Sequence, residues 1–123
     1  MNPPLNAIMI YARDMERTAG FYATHFGFTK GELSEGLIRL TPRNGGAGIV
    51  IHQAAKGIKL GHVGIKLVFD VEDVEAFKKA SAARGLVFGA THAANRYCFA
   101  NAKDPDKNSV SISSRAFRKR PSA

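Results

Sequence analysis

At 123 residues with 45% apolar content, the chain is the size of one soluble globular domain with one core, and no apolar run approaches a membrane span. Its N-terminus lacks the basic segment, apolar stretch and small-residue site of a secretion signal, so a cytoplasmic protein is expected. The net charge of +8 is uneven: Arg115, Arg118, Lys119 and Arg120 crowd the last nine residues, while residues 1–114 hold 14 basic against 10 acidic side chains.

In chain order, Ile8 and Ile10 alternate with Met9 and Tyr11, the period of a half-buried strand. Asp14 is placed to cap a helix, with Glu16 in its first turn where a carboxylate suits the dipole. Met15, Ala19, Tyr22 and Phe26 then form one apolar stripe, and Gly27 supplies the stop. His25 falls in the last helical turn, where it is expected to meet solvent. Residues 28–33 and 37–41 read as strands around Ser34-Glu35-Gly36, and Arg43-Asn44-Gly45-Gly46 is a turn before a strand over 48–53. Residues 54–61 are a connector. A strand over 63–71 follows, then a helix with an acidic start (Glu72, Asp73, Glu75), inward Val74 and Phe77, and a stop at Gly85. Residues 86–91, 97–101 and 109–113 read as three more strands, with His92 in a loop. The single cysteine, Cys98, lies in the apolar run 97–100 and reads as a buried thiol; alone, it excludes an internal disulfide and fits a reducing compartment. Residues 115–123 read as a basic, disordered tail. No zinc-finger spacing, RNP-type motif or recognition-helix pattern accompanies it, so nucleic acid is not an expected partner.

The same unit is written twice. Shifting the sequence by 59 sets Asp14 on Asp73, Met15 on Val74 and Glu16 on Glu75, and Gly27 meets Gly85 after a one-residue gap. Each half is β-α-β-β-β, over about residues 5–54 and 62–114. Neither half is large enough to stand alone, so residues 1–114 are expected to form one α+β domain.

Three motifs carry a family resemblance: Arg13-Asp14-Met15-Glu16-Arg17 with Phe21-Tyr22 and Phe26-Gly27-Phe28; Val71-Glu72-Asp73-Val74-Glu75-Ala76 with Arg84-Gly85; and the turn Asp104-Pro105-Asp106-Lys107-Asn108. Over residues 5–114 the chain resembles the vicinal oxygen chelate superfamily, which includes glyoxalase I, extradiol dioxygenases, and fosfomycin- and bleomycin-resistance proteins. The resemblance implies two βαβββ repeats forming curled mixed sheets around a cavity, with the helices outside. It does not fix the chemistry, because this scaffold carries lyases, oxygenases and simple binders.

Strand alternation then assigns faces. Ile8, Ile10, Ile49, Ile51, Leu67, Phe69, Val110 and Ile112 should pack under the helices. The cavity face is expected to hold Ala7, Met9 and Tyr11; Gly48, Val50 and His52; Lys66 and Val68; and Ser109, Ser111 and Ser113. Metal-dependent members take four His, Glu or Gln ligands from such positions. Counting from the capping aspartates lands on Ala7 and Lys66, and counting from Asn108 lands on Ser111. The offset of 59 then gives His52. Alanine offers no donor, lysine repels a cation and serine is a weak ligand, so no metal and no other cofactor is expected. His62 shares the parity of Lys66 and could take its place only by a strand slip of four residues.

The leading expectation is a metal-free binder of a small organic molecule, with Met9, Tyr11, Val50 and Val68 as an apolar lining and His52, Lys66 and Ser111 as polar points. An inward Lys66 favours an anionic group, and the net positive charge disfavours cationic drugs. One rival is a lyase or dioxygenase-like enzyme with a non-standard metal set through His52 and His62; no catalytic residue is otherwise named. Another is an interaction module whose cavity is filled by side chains. A symmetric homodimer is expected from the resemblance and from the apolar face residues.

Overall fold

The computed structural model describes residues 2–119 and divides into two compact units between His62 and Val63. The first unit runs β1 (Ala7–Ala12), α1 (Met15–Phe26), β2 (Thr29–Lys30), β3 (Leu37–Thr41) and β4 (Gly48–Gln53). Its sheet has the order β1-β4-β3-β2, with β1 parallel to β4 and the other pairs antiparallel. Asp14 sits in extended backbone, and its carboxylate accepts the Arg17 N–H at 3.1 Å, which satisfies a donor that the helix itself cannot. At the other end Gly27 takes φ 73°, a left-handed conformation that costs a side-chain-bearing residue. Thr18, Ala19 and Tyr22 bury against the sheet, whose helix-side residues Ile10, Ile38, Leu40, Ile49 and Ile51 are all buried. Each such aliphatic side chain contributes about 1.5–3 kcal/mol relative to exposure. The hydroxyphenyl ring of Tyr22 packs among Phe21, Phe26 and Phe28.

The second unit repeats the plan with β5 (Lys66–Asp70), α2 (Val74–Ala83), β6 (His92–Ala93), β7 (Cys98–Lys103) and β8 (Ser109–Ser113), in the order β5-β8-β7-β6. Asp73 caps α2 by accepting the Ala76 N–H at 3.0 Å. The Leu86 N–H reaches the Ser81 carbonyl and the Gly85 N–H reaches that of Ala82, with Gly85 at φ 95°, closing the helix in a Schellman arrangement. Val74, Leu86, Phe88, Ala100, Val110 and Ile112 make the core. The turn after β7 is built on Asp104, whose carboxylate accepts the N–H groups of Asp106 and Asn108 and the Asn108 side-chain amide at 2.8–3.0 Å.

Several boundaries differ from the sequence expectation. The strand expected over 28–33 is regular only at Thr29–Lys30; Gly31 still donates to Arg39, but Phe28 is committed to the core and Leu33 points to solvent. Residues 86–91 keep the alternation of buried Leu86 and Phe88 around exposed Val87, yet only Gly89 pairs with Asn101, so β6 forms later and includes His92. The strand expected from 63 starts at Lys66, since Val63 and Ile65 are exposed. Of the tail expected to be disordered from 115, Arg115–Phe117 form one 3-10 turn; Arg118 donates to the Asn95 carbonyl, and Arg96 to that of Lys119. Residues 120–123 lie outside the described residues. The connector is tied down at its start: Arg13 donates to the carbonyls of Ala55 and Ile58, and Gln53 to that of Arg13.

Candidate functional site

In the first unit, the sheet face away from α1 follows from register. Met9, Val50 and Arg39 form one cross-strand row, and Tyr11, His52 and Leu37 form the next. Ala7 and Gly48 are paired at one end, with Thr41 on the same side of β3. Met9 and Tyr11 are 47% and 49% exposed, so the face presents apolar surface to whatever occupies it, while Val50 is nearly buried. The Tyr11 and His52 rings lie 5.3 Å apart. His52 Nδ1 is 2.8 Å from the Gln53 carbonyl; a proton donated there leaves Nε2 as an acceptor. Ala7 and Gly48 place two minimal side chains together, and a hollow of about 180 Å³ opens at this end of the sheet, its border including Arg39, Thr41 and Val50 but also the helix-side Leu40 and Ile49.

The corresponding face of the second unit carries the rows Lys66–Ser109–Lys103, Val68–Ser111–Asn101 and Asp70–Ser113–Phe99, with His92 beyond Phe99. Here the polar groups are mostly spent within the unit. The Lys103 ammonium donates to Ser109, and Ser111, only 2% exposed, donates to the Ala100 carbonyl at 3.0 Å. Ser113 accepts the Arg115 N–H. The Lys66 ammonium lies 5.8 Å from the centre of the Phe99 ring, a cation–π contact, and that ring meets His92 and Tyr97. Val68 remains 58% exposed.

The registers correct the assignment of His52. Ala7 pairs with Gly48 as Lys66 pairs with Ser109, so the repeat offset is 59 on the first strand of each unit but 61 on the last. Ser111 therefore matches Val50, and His52 matches Ser113, one row further along. By the resemblance, the positions that would carry the family's metal ligands are Ala7 and Val50 in the first unit and Lys66 and Ser111 in the second, which offer one weak neutral donor and one cation. This set does not fit a divalent metal, and among the described residues no three His, Cys, Asp or Glu side chains converge. His62 is exposed and precedes β5, whose register starts with Lys66 opposite Ser109. His25 is half-buried, with its ring 5.0 Å from Phe21, rather than in solvent as expected.

Arg39 was missed by the sequence reading. The signal was present, since Arg39 alternates with buried Ile38 and Leu40 and so shares the parity of the face.

A match to the family model named Glyoxalase/Bleomycin resistance protein/Dioxygenase superfamily extends over residues 5–112. The chain belongs to this superfamily. Among solved structures, UcmS2 is similar at a TM-score of 0.77 with 18% identity, over 93% of this chain and 99% of that one. TnmS3, an antibiotic binding protein from Streptomyces sp. CB03234, has a TM-score of 0.75 with 18% identity, over 90% and 94% of the two chains. Lactoylglutathione lyase from Agrobacterium tumefaciens has a TM-score of 0.68 with 21% identity, over 91% and 95%. At such identities these likenesses speak to the fold. No curated protein matches the chain in sequence. Among the described residues no helix is long and apolar enough to cross a membrane.

Proposed function

We propose that this superfamily member binds a small organic molecule on its sheet faces without a metal. One observation carries the reading: the positions that would ligate a metal are Ala7 and Val50 in the first unit and Lys66 and Ser111 in the second, whereas the first unit's face offers exposed Met9 and Tyr11 and the second unit's face exposed Val68. Apolar surface with a few directed polar groups suits a small organic ligand better than it suits a hydrolytic or redox centre. His52, beside Tyr11, supplies a hydrogen-bonding point, and Lys66 a positive one. That TnmS3 is described as an antibiotic binding protein supports binding as a role for this scaffold. A ligand present at a hundred times its Kd would stabilise the fold by about 2.7 kcal/mol, so a thermal-shift screen of small apolar and anionic compounds tests the reading. Absence of any hit would favour the module with a filled cavity. Stoichiometric zinc, nickel, manganese or iron in purified protein, lost in His52→Ala, would favour the enzyme.

The reading includes a homodimer in which exposed Met9, Tyr11 and Val68 are covered by the second copy or by the ligand. Sedimentation at micromolar concentration is expected to give about twice the 13.3 kDa chain mass; a species at that mass alone overturns the dimer.

A further inference from the structure

We infer that the first unit's face selects an organic anion and that Arg39 is the residue that holds it. This rests on the binding reading above and adds the ligand's charge class and its anchor. The face positions Ala7, Met9, Tyr11, Gly48, Val50, His52, Leu37, Arg39 and Thr41 include no carboxylate, so Arg39 is the one full charge among them. Its guanidinium has no hydrogen-bond or ion-pair partner among the described residues, whereas Lys30 of the same unit is paired with Glu16. Lys66 and Lys103 of the other unit are, by contrast, engaged with Phe99 and Ser109. Arg39 also borders the hollow of about 180 Å³, together with Ala7 and Gly48. Gly48 cannot readily be larger: a Cβ there would meet the Leu40 carbonyl oxygen at 3.1 Å.

A planar fork of donors beside the exposed apolar side chains Met9 and Tyr11 matches a carboxylate or sulfonate carried on an apolar body. The fork can bond both oxygens at once, and the body covers Met9, Val50 and Tyr11. A neutral ligand of the same shape offers the guanidinium only a neutral acceptor, a weaker partner than an anion. The selectivity therefore comes from Arg39, while the apolar contacts supply affinity common to both.

The test is titration calorimetry with 2-naphthoate and its uncharged counterpart 2-naphthamide. Wild type is expected to prefer naphthoate by roughly tenfold to a hundredfold, the range for a charge-assisted pair. Arg39→Ala should abolish that preference and leave naphthamide binding within about twofold of wild type, and Arg39→Lys should restore part of it. If both probes bind with equal affinity in wild type, the anion selectivity is wrong while the binding reading survives. If the preference persists in Arg39→Ala and disappears in Lys66→Ala, the anchor is Lys66 and the inference fails. Binding of neither probe overturns the inference, while the binding reading stands or falls by the thermal-shift screen.

Discussion

The two units place one helix position in two different interiors. Tyr22 and Ser81 stand at the same distance from their capping aspartates, and both are fully buried. In the first unit the position is filled by a phenol set among Phe21, Phe26 and Phe28, and α1 packs across all four strands. In the second it is a small residue; the aromatic volume is supplied instead by Phe77 against Phe88, and α2 packs on β7. What the units share is the punctuation: an aspartate cap, a left-handed glycine and a parallel first-and-last strand pair. The backbone plan is thus set by caps and turns, which leaves the interior volume and the outer face free to diverge.

The widest gap between the units should appear on truncating that helix position. Tyr22→Ala is expected to cost about 3–5 kcal/mol in urea denaturation, since it leaves a cavity lined by three phenyl rings. Ser81→Ala should be neutral or stabilising by up to about 1 kcal/mol, because the Ser81 hydroxyl is buried without a hydrogen-bond partner among the described residues. A loss as large as that of Tyr22→Ala would mean that the hydroxyl is bonded and that the units are more alike than their sequences.

A second contrast lies in the turns before the last strand of each unit. The second unit builds its turn on buried Asp104, which gathers three hydrogen bonds, while the first uses Gly45 and Gly46, both at positive φ. Asp104→Ala should therefore cost about 2–3 kcal/mol through the unsatisfied N–H groups it leaves, whereas Asn44→Ala should stay within about 0.5 kcal/mol. Equal losses would show that the glycine turn depends on its side chains after all. Smaller effects, about 1 kcal/mol each, are expected for Gly27→Ala and Gly85→Ala, read in the same denaturation experiment, because both backbones are left-handed.

Much of the fold was legible because its signals are local. Asp14 and Asp73, Gly27 and Gly85, and the alternation of Ile8 with Ile10 each act within one or two turns of chain. The short strands were not legible, because β2 and β6 are defined by what lies opposite them: Gly31 and Gly89 pair singly with Arg39 and Asn101, and no local pattern announces where pairing stops. The site was legible only in part. Parity puts Met9, Tyr11, Val50 and His52 on one face of the first sheet and Lys66, Val68 and Ser111 on one face of the second, there at unlike depths, because parity is silent on depth: Ser111 is buried and turned to the Ala100 carbonyl. The equivalence of His52 with Ser111 failed because loop lengths differ between the units by two residues, which preserves parity and shifts the row.

That two-residue shift yields the smallest expected effect, which is none. With Val50 rather than His52 at the position that matches Ser111, no face residue set in either unit can hold a divalent ion, so chelation should change nothing. Melting of the wild-type protein with and without EDTA, and with added zinc, nickel, manganese or ferrous iron, should agree within about 1 °C. His52→Ala should melt with wild type to within the equivalent of about 0.5 kcal/mol, since its exposed ring gives up one contact with Tyr11 and one bond to its neighbour's carbonyl. Val50→His is the informative companion. It puts an imidazole at the matching position opposite Met9 and Arg39, where the Arg39 cation and the absence of three further donors should still prevent metal-dependent stabilisation. A metal-dependent rise in the melting temperature of the wild type that His52→Ala removes would show that His52 reaches the ligand position despite the register, and the comparison of the two last strands would have to be redrawn.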